Sequence, residues 1–331
     1  MFKIALALVL LFTISSFAVA DDALVLPAKV IRVYATGAYA TVTQKYDASG
    51  TAQAMTSNNN ITAGNVGAAV EFGVTDWITA AAQWGPGYNF YSKIDNAAHA
   101  NLADAADLFV GAKLQIVGPK APIQNDMIRF AIAPGVKFPL GTVDWKTQYA
   151  NYTSTKDFLA SAADKHALAV GGRAYLDYVI NKMFFLNLYS QFLYYPIAVN
   201  VIDTGLSGYG TVSGYQVPYP TYNPTYNYGY ALTLEFEPHF DYAIGEGLNF
   251  SAGLPVTYSL TPVTTVSGDS LHPLIAPVAT NLLSIGPNVS IMTLKTLLPL
   301  QLKVGYTLPL MGMNSNATNS LVLQFKVYAK F

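Results

Sequence analysis

Charge is scarce in this chain, so where it falls is informative. Asp, Glu, Lys and Arg make up 11% of the 331 residues, against about 25% in ordinary soluble domains. Arg32, Lys113, Arg129, Lys137, Arg173, Lys303, Lys326 and Lys330 sit in alternating apolar/polar stretches, on the polar parity, as do Glu71, Asp107, Asp177, Glu235 and Glu237. On strands around a lumen, such charges would line a passage and select ions, here with a modest preference for anions. Arg129 and Lys137 flank Pro134-Gly135 and share parity with Arg173 on the next stretch. These three are therefore predicted to dominate the local potential, because low-dielectric walls focus the field. The same charges could instead pair off and fill the interior, since buried polar groups seek partners.

Other chemistry finds little support. A hydrolase working from the outer face of a barrel needs a Ser–His pair there. Ser190 has the outward parity, but His99 and His272 fall in long linkers, His166 at a linker end, and His239 on the inward parity. The histidines also lack clustered metal-ligand spacing, so no metal, cofactor or enzyme activity is expected. A formal net charge of −1 offers no basic surface for nucleic acid.

The elements that must carry these side chains have a period of two, the mark of strands with unlike faces. Val66, Ala68, Val70, Phe72 and Val74 oppose Asn65, Gly67, Glu71 and Gly73. Leu108, Val110, Ala112, Leu114 and Ile116 oppose Asp107, Gly111, Lys113 and Gln115. The spacing predicts about 12 strands, near 28–45, 62–74, 78–86, 106–117, 127–139, 167–179, 183–195, 229–240, 248–257, 282–292, 299–310 and 319–331. Short linkers alternate with long ones near 46–61, 87–105, 140–166, 196–228 and 258–281, and a shorter one spans 311–318. This is the layout of a transmembrane antiparallel up-and-down β-barrel, with short periplasmic turns, long extracellular loops and both termini in the periplasm. Strands about 4.8 Å apart and tilted about 40° give a backbone radius of about 12 Å, a narrow duct at most.

A soluble β-sandwich would alternate too, but its polar faces would form a surface rich in Lys and Glu. Here those faces are rich in Gly, Ala, Gln and Thr, and Trp77, Trp84, Tyr88, Tyr178, Tyr194 and Tyr258 cluster near strand ends like an interfacial girdle. Pro86, Pro139, Pro196, Pro255 and Pro309 each fall near the end of an outward-running strand. Loss of a ladder N–H is expected to release the chain there into a loop. Pro134 and Pro287 fall within strands.

The ends of the chain agree with a membrane protein. Lys3, the apolar run Ile4–Phe17 and Ala18-Val19-Ala20 form a secretory signal, too short for the roughly 20 residues of a stable span. Residues 1–20 are expected to be cleaved, leaving 21–331 as the barrel. No later run is long enough for a membrane helix, yet the chain is 52% hydrophobic; a closed barrel is the remaining way to satisfy every backbone group in lipid. The absence of cysteine fits export without a disulfide framework. In the last stretch Leu321, Leu323, Phe325, Val327, Ala329 and Phe331 share one face, with Ser320, Gln324, Lys326, Tyr328 and Lys330 on the other.

Several pieces carry a family resemblance. The terminal Phe331 resembles the closing signature of bacterial outer-membrane barrels, which implies recognition by the barrel-assembly machinery. Phe72-Gly-Val-Thr-Asp-Trp-Ile-Thr79, Asp107-Leu-Phe-Val-Gly-Ala-Lys113, Ala133-Pro-Gly-Val-Lys-Phe-Pro-Leu-Gly141 and Gly253-Leu-Pro-Val256 resemble outer-membrane proteins named for the meta-pathway of phenol degradation. That group is itself distantly similar to fatty-acid and toluene channels. The resemblance implies a passive outer-membrane channel for small solutes, hydrophobic or aromatic ones among them, with lipids as the other partner. The alternative is a closed structural or adhesive barrel that displays its loops, such as the Tyr/Pro-rich segment 196–228. About seven residues separate Asp21 from the first strand, too few for the N-terminal plug of those channels. Any obstruction is therefore expected from loops or lumen side chains.

Overall fold

The alternating runs fold as the period demands. The structure, a computed structural model, describes residues 22–55, 60–94, 104–142, 165–200, 209–212, 215–218, 225–267 and 278–331. The expected signal segment 1–20, His99, His272 and much of the long linkers lie outside the described residues.

The barrel strands are β1 (Val30–Tyr46), β2 (Ile61–Thr75), β3 (Ile78–Ile94), β4 (Leu108–Gly118), β5 (Ile128–Phe138) and β6 (Ala169–Val179). They continue as β7 (Phe184–Tyr194), β8 (Tyr230–Ile244), β9 (Leu248–Gly253 with Val256–Thr261), β10 (Thr280–Ile285 with Asn288–Thr293), β11 (Leu300–Met313) and β12 (Ser315–Lys330). Each pairs antiparallel with the next, and β1 pairs with β12 from Val30↔Lys330 to Tyr46↔Ser315. That last ladder closes a 12-stranded antiparallel barrel and leaves no open edge. Shorter strands at the long-loop end pair among themselves: Val199–Asn200, Thr225–Asn227 and Thr265–Ser267 in one set, Tyr209–Val212 and Tyr215–Pro218 in another.

The two faces differ as parity requires. Leu188, Phe192, Leu234, Phe236, Leu323 and Phe325 are each 40–49% exposed on the outside. Inside, Glu71 is 3% and Asp177 0% exposed. A continuous apolar exterior of this extent suits hydrocarbon and would be a liability in water.

Several boundaries differ from the sequence reading. β3 runs to Ile94 because it pairs with β2 as far as Ile61↔Ile94, so Pro86 lies inside the strand. Pro309 likewise lies inside β11, paired with Ser284 of β10. The expected linker at 311–318 is a tight turn at Asn314, whose φ of 49° is a conformation asparagine tolerates. β8 extends through 241–244, which had been read as turn.

Pro287 and Pro255 find an explanation together. Pro287 separates the two pieces of β10 as Pro255 separates those of β9, and Pro238 stands at the same level of β8. Their carbonyls accept from Gly286 N, Leu254 N and Tyr306 N across the three ladders: Pro238 O from Leu254 at 3.2 Å, Pro255 O from Gly286 at 2.8 Å and Pro287 O from Tyr306 at 3.0 Å. Each proline thus withdraws only its nitrogen from the ladder. Register survives the gap, with Gly253↔Asn288 below it and Val256↔Ile285 above.

Candidate functional site

Inward parity collects the charged side chains in the interior, but cross-strand register decides their partners. Arg32 of β1 lies across from Glu71 of β2 in the ladder; its Nε donates to Glu71 Oε2 at 2.7 Å. Arg129 of β5 is level with Asp177 of β6 and reaches its carboxylate at 3.4 Å. Lys137 pairs with Asp107. On β8, Glu235 accepts from Thr257 Oγ1 at 2.8 Å, and Glu237 accepts from Asn288 at 3.2 Å and lies 3.3 Å from His239 Nδ1. The other imidazole nitrogen faces Asp241 at 3.4 Å. Lys303 lies within electrostatic reach of Glu237, Lys326 sits over the Tyr34 ring at 5.6 Å, and Lys330 is exposed at the rim.

Of the three cations expected to dominate the local potential, Arg129 and Lys137 meet carboxylates, as the alternative of pairing allowed. Among the described residues Arg173 meets no carboxylate; its donors go to Gln191 and Gln83. Parity fixes the face a charge occupies but not its height, and height determines which residue it meets.

The larger correction concerns the N-terminal segment. Residues 22–27 enter the barrel interior, although they had been judged too few to obstruct it. Ala23 is 0% exposed, and its N–H donates to both oxygens of Asp177 at 3.0 and 3.2 Å. Leu26 N donates to Thr79 Oγ1 at 2.8 Å, Lys113 Nζ donates to the Asp22 carbonyl, and Arg129 lies 3.9 Å from the Asp22 carboxylate. Asn187 completes the Asp177 shell at 2.7 Å. So short a segment suffices because its receptors lie near strand ends: Asp177 is two residues from the end of β6 and Thr79 is the second residue of β3. Ala23 then packs with Ala131, Ala133, Tyr175 and Tyr189 in one buried cluster.

Beyond the strap the interior is bridged by side chains. Arg173 of β6 donates through Nε to Gln191 at 2.9 Å and through a terminal nitrogen to Gln83 of β3, which is not its ladder neighbour. Gln83 in turn donates to Glu71 at 2.7 Å. The guanidinium lies 4.0 Å from the centre of the Phe109 ring. That ring lies against Gly111 and Gly135, where a Cβ on Gly135 would overlap it. A cavity of about 180 Å³ remains, bordered by Leu24, Leu26, Phe109, Lys113, Arg173 and Tyr175.

Toward the long loops a second aromatic group closes in. Tyr226 and Tyr228 are 0% and 2% exposed, and the Lys165 ammonium lies 4.5 Å from the Tyr195 ring centre and 5.0 Å from that of Tyr228. Burial, with a lesser contribution from Lys137, pushes the Lys165 pKa down to about 8, against the pull of Asp107. Parity puts Tyr175 on the inward face beside Arg173 and Asp177, but it does not single out Asp22, Gln83, Phe109 or Lys165. Phe109 had a usable signal, a large aromatic on the inward parity two residues before Gly111 on the same strand.

Among the described residues no group of three or more His, Cys, Asp or Glu could hold a metal ion. No protein-family model matches the chain, and no curated protein sequence matches it significantly. Among solved structures, a bacterial toluene transporter, TodX of Pseudomonas putida, overlaps with a TM-score of 0.38 at 10% identity, covering 92% of this chain and 91% of that one. A FadL homologue of Pseudomonas aeruginosa overlaps with a TM-score of 0.37 at 10% identity, covering 91% and 90%. The likeness of fold rests on an outer-membrane channel from Pseudomonas putida F1, with a TM-score of 0.62 at 13% identity over 94% of this chain and 99% of that one.

Proposed function

We propose that the mature chain, beginning near Asp21, is a passive channel of the bacterial outer membrane for small solutes, hydrophobic or aromatic ones included. The observation that carries this reading is the contrast between a fully apolar exterior and an interior that is polar and still holds a cavity. Phe109 and Tyr175 edge the cavity, and these are the rings that a ring-bearing solute held there would meet. Lipid and the barrel-assembly machinery are the proposed partners, and the short turns are proposed to face the periplasm. The interior's chemistry is binding and passage rather than catalysis.

A closed display barrel is favoured by one observation, the Arg173–Gln83 bridge across the lumen. Planar-bilayer recording of the refolded chain separates the two. A channel gives discrete conductance that rises when residues 21–26 are removed. Silence both with and without the strap supports the display barrel.

A further inference from the structure

The interior charges do not cancel evenly, and the imbalance is local. Arg32, Arg129 and Lys137 each meet a carboxylate. Arg173 does not: its donors go to the amide oxygens of Gln191 and Gln83, and one face of the guanidinium covers Phe109. Lys113 does not either, since its ammonium is spent on the Asp22 backbone carbonyl and the face of Tyr175, 4.1 Å away. Among the described residues, neither side chain has a carboxylate within ion-pair reach. Both border the cavity of about 180 Å³, which Arg32, Asp22 and Glu71 also line, so its wall carries three cations against two carboxylates. A cation held between low-dielectric walls without a counter-ion is costly unless a mobile anion supplies one.

We infer that the lumen holds an anion site for small ring-bearing carboxylates, with the carboxylate between Arg173 and Lys113 and the ring against Phe109, Tyr175 and Leu24. Guanidinium and ammonium groups give short, charge-assisted hydrogen bonds to a carboxylate. The aromatic and leucine side chains supply an apolar wall beside them, the usual make-up of a small-molecule site. The chain shows the same preference itself: the Asp22 carboxylate approaches neighbouring Arg129 at 3.9 Å. A neutral solute of the same shape would leave both cations without a counter-ion, which is the basis of the discrimination.

This inference takes its biological sense from the proposed channel, but its test reads binding alone. The refolded chain in detergent is titrated with benzoate and, separately, with benzyl alcohol, and binding is followed by calorimetry or ligand-observed NMR. Benzoate should bind more tightly than benzyl alcohol. Arg173→Gln and Lys113→Gln should each weaken benzoate by about tenfold or more, as loss of a hydrogen bond to a charged group does, and leave benzyl alcohol unchanged. Lys137→Gln, whose charge is already paired with Asp107, should leave benzoate binding as in the wild type. Heat-modifiable gel mobility checks that each variant is folded. If Arg173→Gln fails that check, Arg173→Lys and Lys113→Gln carry the test. Equal binding of the two probes, or unchanged benzoate binding in the folded variants, overturns the site. Benzoate binding as described with silent bilayers would discard the channel and leave the site standing.

Discussion

The two halves of the inner wall are built on opposite plans. From β2 to β8 the wall reaches inward with large, mutually bound groups: Glu71, Gln83, Phe109, Arg129, Arg173, Tyr175, Asp177, Tyr189 and Glu237. From β9 to β12 it carries more small side chains, Ser251, Ser284, Ser290, Thr307, Thr318 and Ser320, set among Gln301, Gln324 and Tyr328, with Lys303 and Lys326 as charges. The strap docks on the first wall, at Thr79, Lys113, Arg129 and Asp177. The difference teaches that obstruction is one-sided: strap and polar networks bind one another on β2–β8, and the cavity of about 180 Å³ lies among them, bordered by Leu24, Phe109, Lys113, Arg173 and Tyr175.

Removing the strap is the strongest way to break this contrast. A chain lacking residues 21–26 should show several-fold larger single-channel conductance. Asp177→Ala should move conductance the same way and lower the unfolding free energy in urea by about 3 kcal/mol, because it leaves buried Arg129 without its main partner. Unchanged conductance in both would mean that the segment fills space beside the passage rather than in it.

Bulk beside the cavity should have the next largest effect. Ala81→Trp, at the cavity wall, should sharply reduce conductance, whereas Ser284→Trp on the β9–β12 wall should change it less. The reverse order would place the passage on the β9–β12 side.

The seam between β12 and β1 joins both walls, and Phe331 ends it, 77% exposed. Phe331→Asp should lower the folded yield in cells far more than the refolding yield in detergent. Equal losses would assign the residue to ordinary packing.

The smallest expected effect concerns the aromatic group near the long loops. Lys165 has a folded pKa of about 8, below its ordinary 10.5. Between those values the unfolded chain binds more protons, so stability rises with pH through that window, and below about pH 8 the cost of the buried charge is fully present. Urea midpoints of the wild type should therefore rise relative to Lys165→Gln from pH 8 to pH 10. Parallel profiles would show that the ammonium is solvated.

The contrast between the walls was only half legible in the sequence. Period two places Glu71, Arg173 and Ser284 indoors without further information, and it also gives the strand count. It does not reveal that Arg129 faces Asp177, because that depends on the β5–β6 register, set by the whole ladder. The strap was invisible for a different reason: Asp22–Pro27 carries no period, and its placement comes from hydrogen bonds to residues 53 and 154 positions away in sequence. Strand ends such as that of β3 at Ile94 failed because pairing with β2 overrides the proline that seemed to end it.

Pro238, Pro255 and Pro287, level with one another on three adjacent strands, have a consequence for how the wall assembles. A strand that slips by one residue turns all its side chains to the wrong face, and a sheet of serines and leucines offers only a diffuse penalty against it while zippering. A proline makes the penalty sharp and local. Its missing N–H must fall where the neighbour asks for no donor, and here its carbonyl must still meet Leu254, Gly286 or Tyr306. A slip of β9 would set the Pro255 nitrogen against a carbonyl that needs a donor and withdraw its own carbonyl from Gly286. The three prolines therefore work as registration marks: they weaken the finished wall by a few rungs and make the wrong alignments harder to form.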